Sequence, residues 1–326
     1  MSHFAIIGGG AWGTALGCLY ARAGHAPRIL ARDAGTVAAI NASRRNPRYL
    51  PDTPLPVGLT ATVDPAEALA GARTILFVVP AQSLRVVAAD LAPHIADDTL
   101  AILCSKGIER ETGRFATDVL AEVLPGRPLA VLSGPSFAAD VARGLPTAVT
   151  IAAETEEAAD AAARRLSTDT FRGYATADMR GVEAGGALKN VLALAAGAVA
   201  GRGLGASAQA AIVTRGFVEL RRLGAALGGR PDTLMGLSGL GDLVLTCSSA
   251  QSRNFAYGMA LGRGDDRAGL KLAEGVFTAE IAARLAEEHR IDAPIIATVA
   301  AILAGQLDID AAIEALLARP LKRETV

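Results

Sequence analysis

Along the first half of the chain, short runs of consecutive apolar residues alternate with longer stretches whose apolar positions recur with helical period. The runs are FAIIG (residues 4–8), RILA (28–31), TILFVV (74–79), LAILC (100–104), LAVLSG (129–134) and AVTIAA (148–153). All are too short for a buried helix and most carry Ile or Val, so they predict strands covered on both faces. Strands alternating with helices predict an α/β half built on a parallel sheet. One helix start is legible in DPAEALA, where Asp64 can cap, Pro65 suits the first turn and Glu67 completes a capping-box spacing. Beyond about residue 178 the strand-like runs cease, and Ala- and Leu-rich segments of helical period continue to Leu317. The second half is therefore expected to be all-α.

The first run leads straight into GGGAWG, with Gly8, Gly10 and Gly13 in G-x-G-x-x-G spacing, and then into a helical stretch, TALGCLYARAG. In that setting each glycine has its own task. Gly8 permits the tight turn, Gly10 lets the backbone approach a pyrophosphate, and Gly13 lets helix and strand pack closely. Ala11 and Trp12 add backbone N–H groups at the helix N-terminus. The pattern predicts a Rossmann-type dinucleotide-binding domain over residues 1–178, followed by an all-α domain over 179–326. Where the second strand ends, a chain selective for NAD presents an acid to the ribose hydroxyls. Ala31 and Arg32 stand there instead, and an arginine can pair with a 2′-phosphate. NADP(H) is thus the expected preference, with NAD(H) possible through Asp33. Asp33 can equally be the N-cap of the helix starting AGTVAAI.

The helical half opens with EAGGALKNVLALAAGAVAG (183–201), in which eleven uncharged residues separate Asn190 from Arg202. Such a helix is buried on most of its circumference. Lys189 either lies on one wet stripe and snorkels, or is held for chemistry. Gly185 and Gly186, one turn earlier, are expected to be glycines so that cofactor or substrate can come close to the helix. Three further polar islands bear on the choice: SKGIERETG around Lys106, SGPSFAADVARGLPTAV from Ser133, and GLSGLGDLVLTCSSAQSRN from Gly236. The first two follow predicted strands at their carboxyl ends, where α/β sheets gather ligands. Taken singly, each has a plain reading: Lys106 as a solvated loop charge, Ser136 as a helix cap, Asp242 as the cap of LVLTC, Arg253 as a surface arginine.

Composition narrows the classes. A length of 326 residues, 51% of them hydrophobic, suits two domains with large cores. Thirty-two basic side chains against thirty-three acidic ones, with no basic tract, leave no footprint for a nucleic-acid partner. Cys18, Cys104 and Cys247 stand far apart without Cys-x-x-Cys spacing, so neither a disulfide framework nor a metal site is expected. The apolar N-terminus lacks a basic region and is broken by three glycines, unlike a signal peptide. Arg202 ends the longest apolar stretch before it reaches the roughly 18 residues of a membrane span. A cytoplasmic protein without a membrane segment is expected. His3, His25, His94 and His289 all lie outside the islands, so a histidine acid/base is not expected.

Together these motifs resemble the bacterial NAD(P)-dependent sn-glycerol-3-phosphate dehydrogenases. GGGAWGTAL, SKGIERETG, SGPSFA, GLPTAV, GALKNVLALAAG, GLGDLVLTC and SRN occur in that family's order over essentially the whole chain. The resemblance implies hydride transfer between NAD(P)(H) and the pair sn-glycerol 3-phosphate and dihydroxyacetone phosphate, serving phospholipid synthesis. It implies that Lys189 accepts and donates the proton, with Lys106 and Asp242 beside it. Lys106, Gly134, Ser136, Lys189, Asp242, Ser252, Arg253 and Asn254 would line the pocket of this small-molecule substrate. Gly8, Gly10, Ala11, Trp12, Gly13, Arg32, Tyr49, Lys106, Ala138, Arg253 and Glu274 would hold the cofactor. A homodimer is expected. The match breaks at AEGVFTAE, where the family reads VEGVRTAK, so Ala273, Phe277 and Glu280 depart from it. Two other readings stay open. A β-hydroxyacid or 2-ketoacid reductase of the same architecture would have no need of a phosphate arginine in SRN. A non-catalytic NADP(H) sensor would have no need of Lys189, Asp242 and Arg253 together.

Overall fold

In the computed structural model, which describes residues 3–266, 269–270 and 273–318, the six apolar runs become strands of one eight-stranded sheet. The strands are β1 (His3–Ile7), β2 (Ala26–Leu30), β3 (Thr60–Thr62), β4 (Thr74–Phe77), β5 (Leu100–Leu103), β6 (Leu129–Ser133), β7 (Thr147–Ala153) and β8 (Phe171–Thr176). Their order across the sheet is β3-β2-β1-β4-β5-β6-β7-β8. Phe4 and Ile6 enter the core on one face, Ala5 and Ile7 the core on the other. Successive residues of a strand point to opposite faces, so a sheet covered on both sides needs apolar residues without alternation.

Two strands were not anticipated. β3 is three residues long, and β8 (FRGYAT) mixes buried Phe171 with exposed Arg172 and Tyr174, as befits the two edges of the sheet. The expectation of a wholly parallel sheet also needs correction, because β7 runs antiparallel to β6 and β8 follows β7. The helix between β6 and β7, Ala138–Arg143, packs against the first helix, Ala11–Arg22. Six residues rise only about 9 Å. The chain therefore re-enters the sheet from the edge where β6 ended. At DPAEALA, Asp64 does cap, accepting the Ala66 N–H at 2.9 Å. Glu67 does not close a capping box: it accepts from the Thr62 hydroxyl, and Thr62 takes the Asp64 N–H.

The second half is built around the helix Met179–Gly201, against which Gly205–Ala226, Arg253–Arg263, Glu274–Glu288 and Pro294–Leu303 pack. A Cβ on Gly258 would lie 2.1 Å from the Leu194 carbonyl oxygen, and one on Gly197 2.2 Å from that of Phe255. These helices meet backbone to backbone, which draws the SRN segment alongside Lys189's helix. That helix is long and apolar enough to cross a membrane, which counting unbroken runs misses because Glu183 and Lys189 interrupt it. Here 78% of its most apolar window is buried inside the protein, as a core helix.

β8 ends at Thr176 and Asp178 caps the next helix, accepting the Gly181 N–H at 2.8 Å. The first turns of that helix are bolted to the sheet half. The Glu183 carboxylate accepts the Thr117 N–H at 2.9 Å and the Thr117 hydroxyl at 2.6 Å, capping the helix Ala116–Val123, while Arg180 pairs with Asp118. Burial pushes the Glu183 carboxyl up to about 7, against the pull of the Thr117 hydrogen bonds.

Candidate active site

β1, β4, β5 and β6 are parallel, so their carboxyl ends share one edge of the sheet, with the reversal of strand order between β1 and β4. Ligands of open α/β sheets bind at that place. The glycine loop leaves β1 there. Gly8 has φ +122°, and a Cβ on it would lie 2.5 Å from the Val78 carbonyl oxygen. A Cβ on Gly13 would lie 2.0 Å from the Gly8 carbonyl oxygen, so helix and loop could not close. A Cβ on Gly10 would meet no protein atom within 4 Å, which marks the open side of the cradle. Ala11 and Trp12 start the helix Ala11–Arg22, with basic Arg22 at its far end and no acid in its first turn. A helix N-terminus and an open glycine suit a pyrophosphate.

Along the same edge, the loop after β5 brings Lys106 and the loop after β6 brings Gly134. Lys106 Nζ donates to the Gly134 carbonyl at 3.1 Å and to Asp242 Oδ2 at 2.6 Å. Lys189 Nζ donates to the other oxygen, Asp242 Oδ1, at 2.8 Å and to the Thr246 hydroxyl at 2.6 Å. Two lysines from different halves thus share one carboxylate. The snorkelling reading fails, since Lys189 is only 6% exposed. Asp242 is no helix cap either: it is the first residue of Asp242–Cys247, and its side chain makes no capping bond. Burial pushes the Lys189 ammonium down to about 8; Asp242 opposes the shift and Lys106 adds to it. Burial alone would raise the Asp242 carboxyl, but the two ammoniums outweigh it and hold the group below the ordinary carboxylate value. An amine titrating near 8 can both take and give a proton near neutral pH.

The other anticipated residues fall into place unevenly. Ser136 is not a cap: its hydroxyl donates to the Gly134 carbonyl at 3.0 Å. Ala138 opens its helix and packs on the same core as Ala11 and Trp12. Ser252 caps Arg253–Arg263, accepting the Phe255 N–H at 3.2 Å. Asn254 accepts the Gly275 N–H at 2.9 Å and donates to Asn190 Oδ1 at 2.8 Å, and Asn190 donates to the Lys106 carbonyl at 3.2 Å. The side chains of Ser252 and Asn254 thus take part in holding this segment together. Exposed Arg253 and the helix N-terminus beside it are the groups suited to an anion. Glu274 faces Gly107, and its buried Oε2 has no partner; burial raises its carboxyl above the ordinary value, against Arg253.

Arg32 is exposed just past β2, and Tyr49 lies 40% exposed beneath the Arg48 guanidinium, 5.3 Å from the ring centre. Asp33 caps the helix Ala34–Ala38 through the Thr36 N–H at 2.8 Å, the second of its two readings. The reason given for Gly185 and Gly186 is overturned. A Cβ on Gly185 would lie 2.9 Å from the Ser238 carbonyl, and one on Gly186 2.9 Å from the Ser133 hydroxyl. Protein, not ligand, crowds that face. Of the departures, Glu280 pairs with Arg110 at 2.9 Å and so ties the Glu274 helix to the Lys106 island; Ala273 is buried, and nothing in the structure explains Phe277. Thr246 and Asn190 were missed. Thr246 stands four residues after Asp242 on one helix, which places both side chains on one face. Among the described residues no group of three or more His, Cys, Asp or Glu could hold a metal ion.

A dinucleotide cradle joined to a buried lysine–carboxylate pair defines the class: a two-domain, nicotinamide-dependent oxidoreductase. Residues 3–159 match the model of the NAD-dependent glycerol-3-phosphate dehydrogenase N-terminus, and residues 178–314 that of the corresponding C-terminus. The chain belongs to the NAD-dependent glycerol-3-phosphate dehydrogenase family. It is 59% identical over 323 residues to the glycerol-3-phosphate dehydrogenase (NAD(P)+) of Brucella canis, covering 99% of both chains. To that of Mesorhizobium japonicum it is 62% identical over 320 residues, 98% of this chain and 93% of the other. The crystal structure of glycerol-3-phosphate dehydrogenase from Coxiella burnetii superposes with a TM-score of 0.92 at 40% identity, over 98% of this chain and 99% of that one. A ketopantoate reductase from Ralstonia eutropha, at 19% identity and TM-score 0.59, shares the fold alone.

Proposed function

We propose that the protein interconverts sn-glycerol 3-phosphate and dihydroxyacetone phosphate, and so supplies glycerol 3-phosphate for phospholipid synthesis. The observation that carries this reading is the buried Lys189, bonded to Asp242 and Thr246, with Asp242 bonded in turn to Lys106 on the sheet edge that the glycine loop leaves. The residues fit a nicotinamide dinucleotide: Gly10 leaves the cradle open, and Glu274 keeps a buried oxygen without a partner. That cofactor, when bound, supplies the hydride acceptor or donor. The chain supplies the rest. Neutral Lys189 takes the proton of the secondary hydroxyl, and its ammonium returns one to the carbonyl oxygen in reduction. Asp242 fixes the amine's direction, and Lys106 helps lower its pKa. Arg253, at the N-terminus of its helix, receives the phosphate. Arg32 favours NADP(H) over NAD(H) through the 2′-phosphate, without excluding the latter. The sheet half, residues 1–178, holds the cofactor, and residues 179–326 bring the catalytic lysine and the phosphate site. We further propose a cytoplasmic homodimer with no nucleic-acid or membrane partner.

The test is a comparison of NADPH and NADH oxidation with dihydroxyacetone phosphate against a panel of 2-keto acids. Turnover of the phosphate ester and none of the acids is the expected result. Preferred turnover of a keto acid would replace this reading with the reductase one.

A further inference from the structure

The strap that follows the second helix is exposed at residues 45 and 47–49, yet Asn46 within it is 0% exposed. Its buried Oδ1 has no hydrogen-bond partner, so what holds this amide is its nitrogen, and the partners of that nitrogen are informative. Asn46 Nδ2 donates to the Gly9 carbonyl at 3.0 Å and to the Thr14 hydroxyl at 2.8 Å. Its own carbonyl accepts the Leu50 N–H at 2.9 Å and the Tyr49 N–H at 3.2 Å. One side chain thus grips the glycine loop before and after its apex, while its backbone holds the turn carrying Arg48 and Tyr49.

We infer that Asn46 is a positioning residue for the cofactor: it sets the peptide plane between Gly9 and Gly10. In a trans peptide the C=O and N–H point in opposite directions, and no cis bond is present among the described residues. With the Gly9 oxygen held by Asn46, the Gly10 N–H points away from the strap. Gly10 is where an added Cβ would meet nothing, so the donor is aimed into the open cradle. The bond to Thr14, itself 0% exposed in the first turn of the helix, fixes the loop against the helix N-terminus. Glycine carries no side chain to hold its peptide plane, and Asn46 is the side chain that fixes the Gly9 carbonyl. The inference rests on reading residues 8–13 as a dinucleotide cradle.

Trp12, the chain's single tryptophan, sits at that helix start and reports on the cradle by its fluorescence. The experiment titrates Trp12 emission with NADPH in the wild type, Asn46→Ala, Asn46→Asp and Thr14→Val, and measures kcat at saturating cofactor and the KM for dihydroxyacetone phosphate. The expected result is a Kd for NADPH raised about tenfold or more in Asn46→Ala and further in Asn46→Asp, whose carboxylate faces the Gly9 oxygen. Thr14→Val, which spares the Gly9 bond, should rise less. kcat and the substrate KM should stay within about threefold, because Lys189 and Arg253 are untouched. A merely structural role predicts lowered melting temperature with NADPH titrations of the folded variants superposing on the wild type, and that outcome overturns the inference. If Asn46→Ala fails to fold, the Asn46→Asp and Thr14→Val titrations decide between the same two outcomes. No response of wild-type Trp12 to NADPH would instead overturn the cradle reading itself.

Discussion

The two ends of this site are made by different means. The glycine loop spans six consecutive residues and works by what is missing: side chains at Gly8 and Gly13 would strike carbonyl oxygens, and Gly10 leaves space. The lysine cluster takes Lys106, Gly134, Lys189, Asp242 and Thr246 from four separate segments and works by what is present, three buried or half-buried charges within hydrogen-bond reach. The loop offers backbone amides, whose charge does not change with pH. The cluster holds an amine pushed down to about 8. Binding should therefore be a property of shape and catalysis a property of titration, and the two should be separable.

The sharpest separation is expected from Lys189→Arg. Arginine keeps the positive charge but cannot release a proton near neutral pH, so kcat should fall on the order of 10²- to 10⁴-fold, almost as far as in Lys189→Ala. NADPH binding through the loop should persist in both. Turnover of Lys189→Arg within a few-fold of wild type would sink the catalytic role and break the comparison.

The pH profile comes next. Below about 8 Lys189 is increasingly protonated, which removes the base for alcohol oxidation; above it the acid for ketone reduction is lost. Glycerol 3-phosphate oxidation should rise about tenfold per pH unit up to that point, and dihydroxyacetone phosphate reduction should decline beyond it. NADPH affinity measured over the same range should stay flat. A profile set by the cofactor's affinity instead would show that the two ends titrate together.

Arg253→Gln should raise the substrate KM roughly tenfold, the low end of the about 1.5–3 kcal/mol for a lost charge-assisted donor because Arg253 is itself exposed. Cofactor affinity should suffer less, and unchanged saturation by dihydroxyacetone phosphate would remove Arg253 from the phosphate site. The smallest effect is expected at Arg32→Ala, because Arg32 is exposed and water screens its pairing. The ratio of kcat/KM for NADPH over NADH should drop by a few-fold to about tenfold. An unaltered ratio would assign the 2′-phosphate to another group, for which Arg48, close enough to act on Asp33, is a candidate in the strap.

Local patterns settled much of this molecule from its sequence. The six apolar runs became strands because a sheet covered on both faces admits no polar alternation, and of the three spaced glycines Gly8 and Gly13 are held by close backbone approach while Gly10 faces open space. The motifs around Lys106, Lys189 and Asp242 marked the residues that the fold brings together. What they touch is a matter of long-range approach. Asp242 is divided between two lysines 136 and 53 residues away in the chain. Glu183 caps a helix 66 residues earlier, and Asn46 holds a loop 37 residues away. A capping box that the spacing allowed was lost to Thr62, and two glycines that seemed kept for a ligand were kept for Ser238 and Ser133. β7 turned back because its connecting helix lies along the first helix instead of crossing the sheet. Propensity and periodicity act over a few residues. Partners, burial and proton affinity depend on which segments packing brings together, and only the tertiary structure decided that.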